Sequence, residues 1–261
     1  MSSKNTYLTR IASYFNEIGA LGSFVARFFK RFLFPPYELR EVKKHLEELG
    51  VKTLPIVGTA GFITGLVLTL QSYPIMTKFG AEGFLPYMVS LSIIRELGPV
   101  ITALIFAGRV SSGIGAELGS MRVTEQIDAM EVSAVDPFNF LVVTRVIATT
   151  IMLPILVVYV DFLAILGGFL GSILVMDTTW TLYINQVIDV VKFSDIIPGI
   201  GKNFFFGFIV GIVGSFKGYY ADKGTEGVGK ASTTSVVVSS LLIIIVDMIL
   251  VKVTLLLWPP A

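Results

Sequence analysis

Residues 85–110 read LPYMVSLSIIRELGPVITALIFAGRV, an apolar stretch long enough to cross a bilayer that holds an adjacent ion pair, Arg95-Glu96, near its middle. Charge in hydrocarbon is costly, so a pair kept there points to partners inside the protein or to a ligand. Two neighbours on a helix diverge by about 100° and cannot face each other, so Arg95 and Glu96 need separate partners. Asp161 and Asp247, on later apolar stretches, are candidates. One reading has these four residues only neutralising one another. The other notes that Arg95 offers a planar fork suited to phosphate, and that Gly98-Pro99 just beyond it is a place for the helix to break and free backbone groups.

Outward from this stretch the composition sets the class. Hydrophobic residues make up 54% of the chain and charged ones 15%, and the mean hydropathy is +0.79. This is an all-α integral membrane protein. A formal charge of +1 with no basic stripe gives nucleic-acid binding no support, and the absence of cysteine excludes disulfides and thiolate chemistry. Residues 1–10 lack the apolar core of a removable signal.

Five spans are expected at 54–70, 85–110, 140–175, 197–216 and 236–258. The third is long enough for one kinked helix or, with Pro154 and Gly167-Gly168, for a hairpin. Basic residues decide. With five spans and a cytoplasmic N-terminus, the inner segments hold Lys and Arg from Lys4 and Arg10 through Arg122 to Lys217, Lys223 and Lys230, and the outer loops keep Lys78 and Lys192. A hairpin would reverse that bias. The C-terminus is therefore expected outside.

Before the first span, Ile11, Tyr14, Phe15, Ile18, Leu21, Val25, Phe28, Phe29 and Phe32 recur at helical spacing with Arg27, Lys30 and Arg31 between them, the pattern of an interfacial helix ended by Pro35-Pro36. The charged segment up to Gly50 reads as a solvated connector, so residues 1–52 form an N-terminal unit ahead of a span domain at 53–261. Pairs of small residues four apart, Gly61/Gly65, Ala107/Ser111, Gly167/Gly171 and Gly207/Gly211 with Ser215, mark close helix contacts. Five helices make a thin bundle, and a solute-sized path is more easily built between two copies, which favours a homodimer.

After the second span, Glu117, Met121, Glu125 and Asp128 are expected along one side of a polar helix. It reads either as an ordinary cytoplasmic loop or as a docking helix in which Met121, Ile127 and Met130 are knobs ringed by charge. Asp136-Pro137 ends it.

Catalytic motifs are weak. Gly224 to Lys230 has Walker A spacing, but Ala231 stands where a Ser or Thr should hold magnesium and no strand is expected before it. His45 is the single histidine and is expected to be solvated. Ser111-Ser112 has no nearby base and reads as helix packing.

Taken in order, Arg95-Glu96-Leu97-Gly98-Pro99-Val100, Ala107-Gly108-Arg109, Ala116-Glu117-Leu118-Gly119, Met121 to Gln126, Val135-Asp136-Pro137, Thr225-Glu226-Gly227 and Thr233-Thr234-Ser235 resemble the signature of MlaE/YrbE permeases, the membrane subunits of MCE-type ABC lipid transporters. The resemblance runs from the first span, at Gly65 to Leu68 and Gln71, to the Asp247 helix. It implies a homodimer in the cell inner membrane, bound to two copies of a cytoplasmic ATPase and often a STAS-domain protein. Phospholipid would pass to or from a periplasmic MCE ring. It implies no cofactor on this chain, with ATP and magnesium held by the ATPase. By the same resemblance Glu117, Met121, Arg122, Glu125 and Asp128 form a coupling helix in the ATPase groove, and Arg95, Glu96 and Gln71 line a lipid cavity at the dimer interface, with Asp247 among the lipid-binding residues.

Two other classes stay open. A proton-coupled secondary transporter would use Asp161, Glu96 and Asp247 as a relay. A lipid-modifying membrane enzyme would need a nucleophile and base to converge near Ser111.

Overall fold

The structure is a computed structural model that describes residues 3–33 and 38–257, with side chains from residue 16 onward. The helix stop at Pro35-Pro36, the side chains of Ile11, Tyr14 and Phe15, and the end of the last span at Trp258 lie outside the described residues. Among those described, all regular structure is helical. The elements are α1 (Ser3–Phe32), α2 (Leu39–Lys78), α3 (Glu82–Val123), α4 (Gln126–Val132), α5 (Phe138–Met176), α6 (Trp180–Val190), α7 (Phe193–Tyr219) and α8 (Thr225–Leu257). Five of them, α2, α3, α5, α7 and α8, are long and apolar enough to cross a membrane, matching the expected count.

The third span is one helix, not a hairpin. Gly167 lies inside α5, where an added Cβ would run into the Phe62 carbonyl of α2. Lipid tails are as apolar as leucine, so burial alone does little to hold helices together in a bilayer and close backbone approach takes over. All four pairs of small residues act in this way within the chain. Gly61 and Gly65 face Val160 and Ala164, and Gly171 faces Thr69, which seats α2 on α5. Gly207 and Gly211 face Thr149 and Val146, which seats α7 on its other side. Ala107 is fully buried in the core, and the Ser111 hydroxyl lies 2.9 Å from that of Ser239, joining α3 to α8. A second hydroxyl pair, Ser112 with Ser232 at 2.8 Å, confirms the packing reading of both serines.

Helix α5 is the centre of the bundle and α8 its flank. In the most apolar stretch of each, 72% of the residues of α5 are buried and 11% of those of α8.

The N-terminal parts depart from expectation in two ways. Helix α1 packs through Phe24 and Phe28, with Leu21 and Val25 beside them, against Phe138, Phe208, Phe216 and Tyr219. Ile18, Phe29 and Phe32 remain exposed, so its apolar surface is divided between the bundle and the outside. Phe24 was not among the expected apolar positions. The connector is also not solvated. Residues 39–53 continue straight into the first span, and Val42 and His45 are buried. An added Cβ at Gly50 would meet the Met152 side chain of α5. The charges of this segment lie on one side only.

Helix α6, in the loop between the third and fourth spans, had no counterpart in the sequence reading. It is fixed by Tyr183, whose hydroxyl donates to the Ile165 carbonyl at 3.2 Å, and by Gln186, which donates to the Gly83 carbonyl at 3.2 Å. Burial pushes the Tyr183 phenol above its ordinary range.

Candidate functional site

Arg95 and Glu96 occupy a wide π-turn, Ile93–Leu97, within α3. Such turns are frequent at functional sites. The chain stays helical through Gly98-Pro99: Pro99 directly follows the wide turn, where the change of hydrogen-bond register accommodates its missing N–H. The expected helix break is absent.

The two charges do find separate partners. Nε and Nη2 of Arg95 both donate to Oδ1 of Asp195, at 2.9 and 2.5 Å. Asp195 is in the first turn of α7 and is itself buried, its Oδ2 accepting the Lys192 backbone N–H at 3.1 Å. Glu96 accepts from Nζ of Lys202 at 2.8 Å, and the same ammonium donates to Asp247 Oδ1 at 2.9 Å. One lysine thus joins α3, α7 and α8. Asp161 stands apart. An added Cβ on Gly98 would strike its Oδ1, which is buried with no hydrogen-bond partner. Of the two expected counterions, Asp247 joins the network through Lys202 and Asp161 does not pair with Arg95 or Glu96.

These groups open into a cavity of about 360 Å³ whose charged wall is Arg95, Glu96, Lys192, Asp195 and Lys202 and whose apolar wall includes Leu91, Val190, Val251 and Leu255. Polar groups convergent in an apolar cleft are the usual form of a ligand site. Asp247 stands behind Lys202, and Gln71, exposed on α2, is not among the lining residues. The cavity lies where α3 and α7 begin and α8 ends, the opposite end of the bundle from α4.

Lys202 and Asp195 were missed in the sequence. Lys202 carried the same signal as Arg95, a cation within an apolar run, here between Ile196 and Phe216. Asp195 lies two residues outside the expected fourth span, 197–216, where a carboxylate gives no signal of burial.

At the α4 end the expected single face is broken. Helix α3 ends at Val123 and Glu125 has φ 58°, a left-handed turn that redirects the chain into α4. Glu117 and Met121 therefore lie on the membrane rod, Glu125 on the corner and Asp128 on the short helix. Glu117, Arg122, Glu125 and Asp128 are exposed. Ile127 is buried and Met121 and Met130 pack on the core, so the three expected knobs face inward. The outward apolar residue is Val132, which is 91% exposed. Glu117 pairs with the buried Arg145 of α5 at 2.7 Å, and Arg122 pairs with Asp128 at 2.5 Å. Arg31 of α1 reaches Asp136 at 3.1 Å, tying the N-terminal helix to the same end.

Gly224 has φ 89° and makes the turn into α8, so the Walker-like glycines cap and continue a helix with no strand before them. Among the described residues, no group of three or more His, Cys, Asp or Glu side chains converges as a metal site.

Five helices long and apolar enough to cross a membrane, a charged cavity at one end of the bundle and a charged corner at the other are the architecture of a multi-pass membrane protein. The family described as Permease MlaE matches residues 42–253. The chain is 42% identical over 228 residues to a probable ABC transporter permease protein of Rickettsia typhi, covering 87% of each. It is 35% identical over 254 residues to the intermembrane phospholipid transport system permease protein MlaE of Haemophilus influenzae, covering 90% of this chain and 96% of that one. It is also 32% identical over 215 residues to the chloroplast protein TRIGALACTOSYLDIACYLGLYCEROL 1 of Arabidopsis thaliana, covering 81% of this chain and 60% of that one. The chain belongs to the MlaE permease family.

Proposed function

We propose that this chain is the non-catalytic membrane subunit of an ATP-driven phospholipid transporter, with the cavity at Arg95 and Glu96 as the place where lipid is held. The observation that carries the reading is that cavity: paired charges and aliphatic side chains line one space, as the two halves of a phospholipid require. The phospholipid transport named for the Haemophilus influenzae relative supports it.

In this reading two copies sit in the cell inner membrane with the α4 end cytoplasmic and the C-terminus periplasmic. The concentration of Arg27, Arg31, Arg109, Arg122 and Lys217 toward the α1 and α4 end supports that orientation. The sparsely buried α8 leaves a face for the second copy. Helix α1 is the interfacial element, and Glu117, Met121, Arg122, Glu125 and Asp128, with α4, form the coupling surface for a separate ATPase that holds ATP and magnesium. A periplasmic MCE ring exchanges lipid with the cavity, and a STAS-domain protein completes the cytoplasmic side. Closure of the ATPase pair pushes on the α4 corners, the bundles move together, and the cavity loses the volume that held the lipid.

The test is reconstitution with and without the ATPase. Lipid transfer is expected only with both, Glu125→Lys is expected to abolish transfer while ATP hydrolysis persists, and Arg95→Ala is expected to lower co-purified phospholipid. Full transfer by the chain alone, driven by a proton gradient, would replace this reading with the secondary transporter. The Lys202 network argues against that relay, since it occupies Glu96 and Asp247 with a fixed cation.

A further inference from the structure

We infer that the cavity selects zwitterionic phospholipid headgroups over anionic ones, an inference that rests on the lipid reading above. The charges are arranged in two layers. Arg95 and Glu96 have side chains 46% and 44% exposed, and they are the pair that reaches the open space. Behind each stands a buried counterion, Asp195 behind Arg95 and Lys202 behind Glu96, with Asp247 behind Lys202 in turn.

Each front group has capacity left. Arg95 uses only Nε and Nη2 toward Asp195, so further N–H donors of the guanidinium remain for a phosphate. Glu96 gives Oε2 to Lys202 and keeps Oε1 for a cation. Because the two residues are adjacent on one turn and both line the cavity, its wall offers an anion site and a cation site side by side. That is the charge pattern of a phosphodiester carrying an amine.

The charge balance points the same way. With Lys192, exposed at the start of α7, three cations (Arg95, Lys192 and Lys202) stand against three carboxylates (Glu96, Asp195 and, behind Lys202, Asp247), a net of zero. An anionic headgroup would add an uncompensated negative charge beside Glu96, whereas a zwitterion leaves the balance unchanged, and like charges at short range discriminate between ligands. The aliphatic wall of Val251 and Leu255 fits an acyl chain, which favours an intact lipid over a free headgroup.

The experiment incorporates the full chain into nanodiscs of equimolar phosphatidylethanolamine and phosphatidylglycerol and counts lipid retained on the released protein by native mass spectrometry. The expected result is enrichment of phosphatidylethanolamine by about fivefold or more, reduced to near parity by Glu96→Gln and kept by Glu96→Asp. Equal or preferred phosphatidylglycerol on the wild type, or a ratio that Glu96→Gln leaves unmoved, would overturn the selectivity and leave the lipid site standing. A wild-type protein retaining no lipid would remove both. Displacement of the lipid by an equal concentration of water-soluble phosphoethanolamine would show that the headgroup alone is the ligand, against the inference.

Discussion

Replacing Lys202 by Met tests whether one buried ammonium holds three spans together. The Met side chain is close in length and apolar, so the change removes charge with little change of volume. Lys202 is 6% exposed at its side chain, and its loss leaves Glu96 and Asp247 without their cation. Breaking a buried ion pair from one side costs about 3–5 kcal/mol. Glu96 is nearly half exposed and regains water, so most of the penalty falls on Asp247, whose side chain is 17% exposed, and the lower end, about 3 kcal/mol, is expected. On the scale of a chain this size that is a fall in melting temperature of about 6–12 °C. The assay is thermal unfolding of purified protein at one detergent and protein concentration. The second arm is Lys202→Met with Asp247→Leu, which removes both charges and is expected to recover more than half of the loss. A single variant as stable as wild type, or a double variant no better than the single, would refute the assignment of Lys202 as the tie.

Two further predictions follow from the backbone. Gly65→Ala is expected to destabilise by about 2 kcal/mol, since the new methyl would meet the Ala164 carbonyl of α5, while Gly19→Ala on α1, with open space around it, is expected to be neutral or to gain up to about 1 kcal/mol; equal effects at the two sites in thermal unfolding would contradict the close-packing account. Glu125→Gly relieves a left-handed backbone and is expected to hold or raise stability by up to about 1 kcal/mol. The same variant should lose ATPase-coupled lipid transfer if the Glu125 carboxylate is a coupling contact, so unchanged transfer would reduce Glu125 to a corner residue.

The span count was legible because apolar length is a local property, and so were the small-residue contacts, whose spacing of four repeats within each helix. Partner identity was not. Arg95 and Asp195 are 100 positions apart and Glu96 and Lys202 are 106, and no periodicity within a helix reports on such distances. The polar helix was misread because its pattern was extended through Glu125, and nothing in a glutamate signals a positive φ. Ile127 and Met130 then faced the core because the redirected chain folds back on the bundle, while Met121 reaches the core from the end of α3 itself. His45 was misplaced for a related reason: a string rich in Lys and Glu still has one side, and here Val42 and His45 lie on the side that meets the rest of the protein. At the candidate site, Arg95, Glu96 and Asp247 were visible as charges in apolar runs, while the cation that connects the last two was visible in the same way and overlooked.

Helix α3 has two expanded turns, one carrying Arg95 and Glu96 and the other, Ala107–Ser111, ending where α8 is met. An extra residue in a turn shifts the phase of everything beyond it by roughly 100° relative to an unbroken α-helix. The rod therefore has three segments out of phase with one another: the first is anchored by Leu85 and Val89 in a small separate core, the last is bound to α8 through serines, and the piece from Gly98 to Phe106 lies between the two wide turns. The direction in which Arg95 and Glu96 leave the rod is therefore set by the wide turn they occupy, and the face that the last segment offers to α8 is set by the second one.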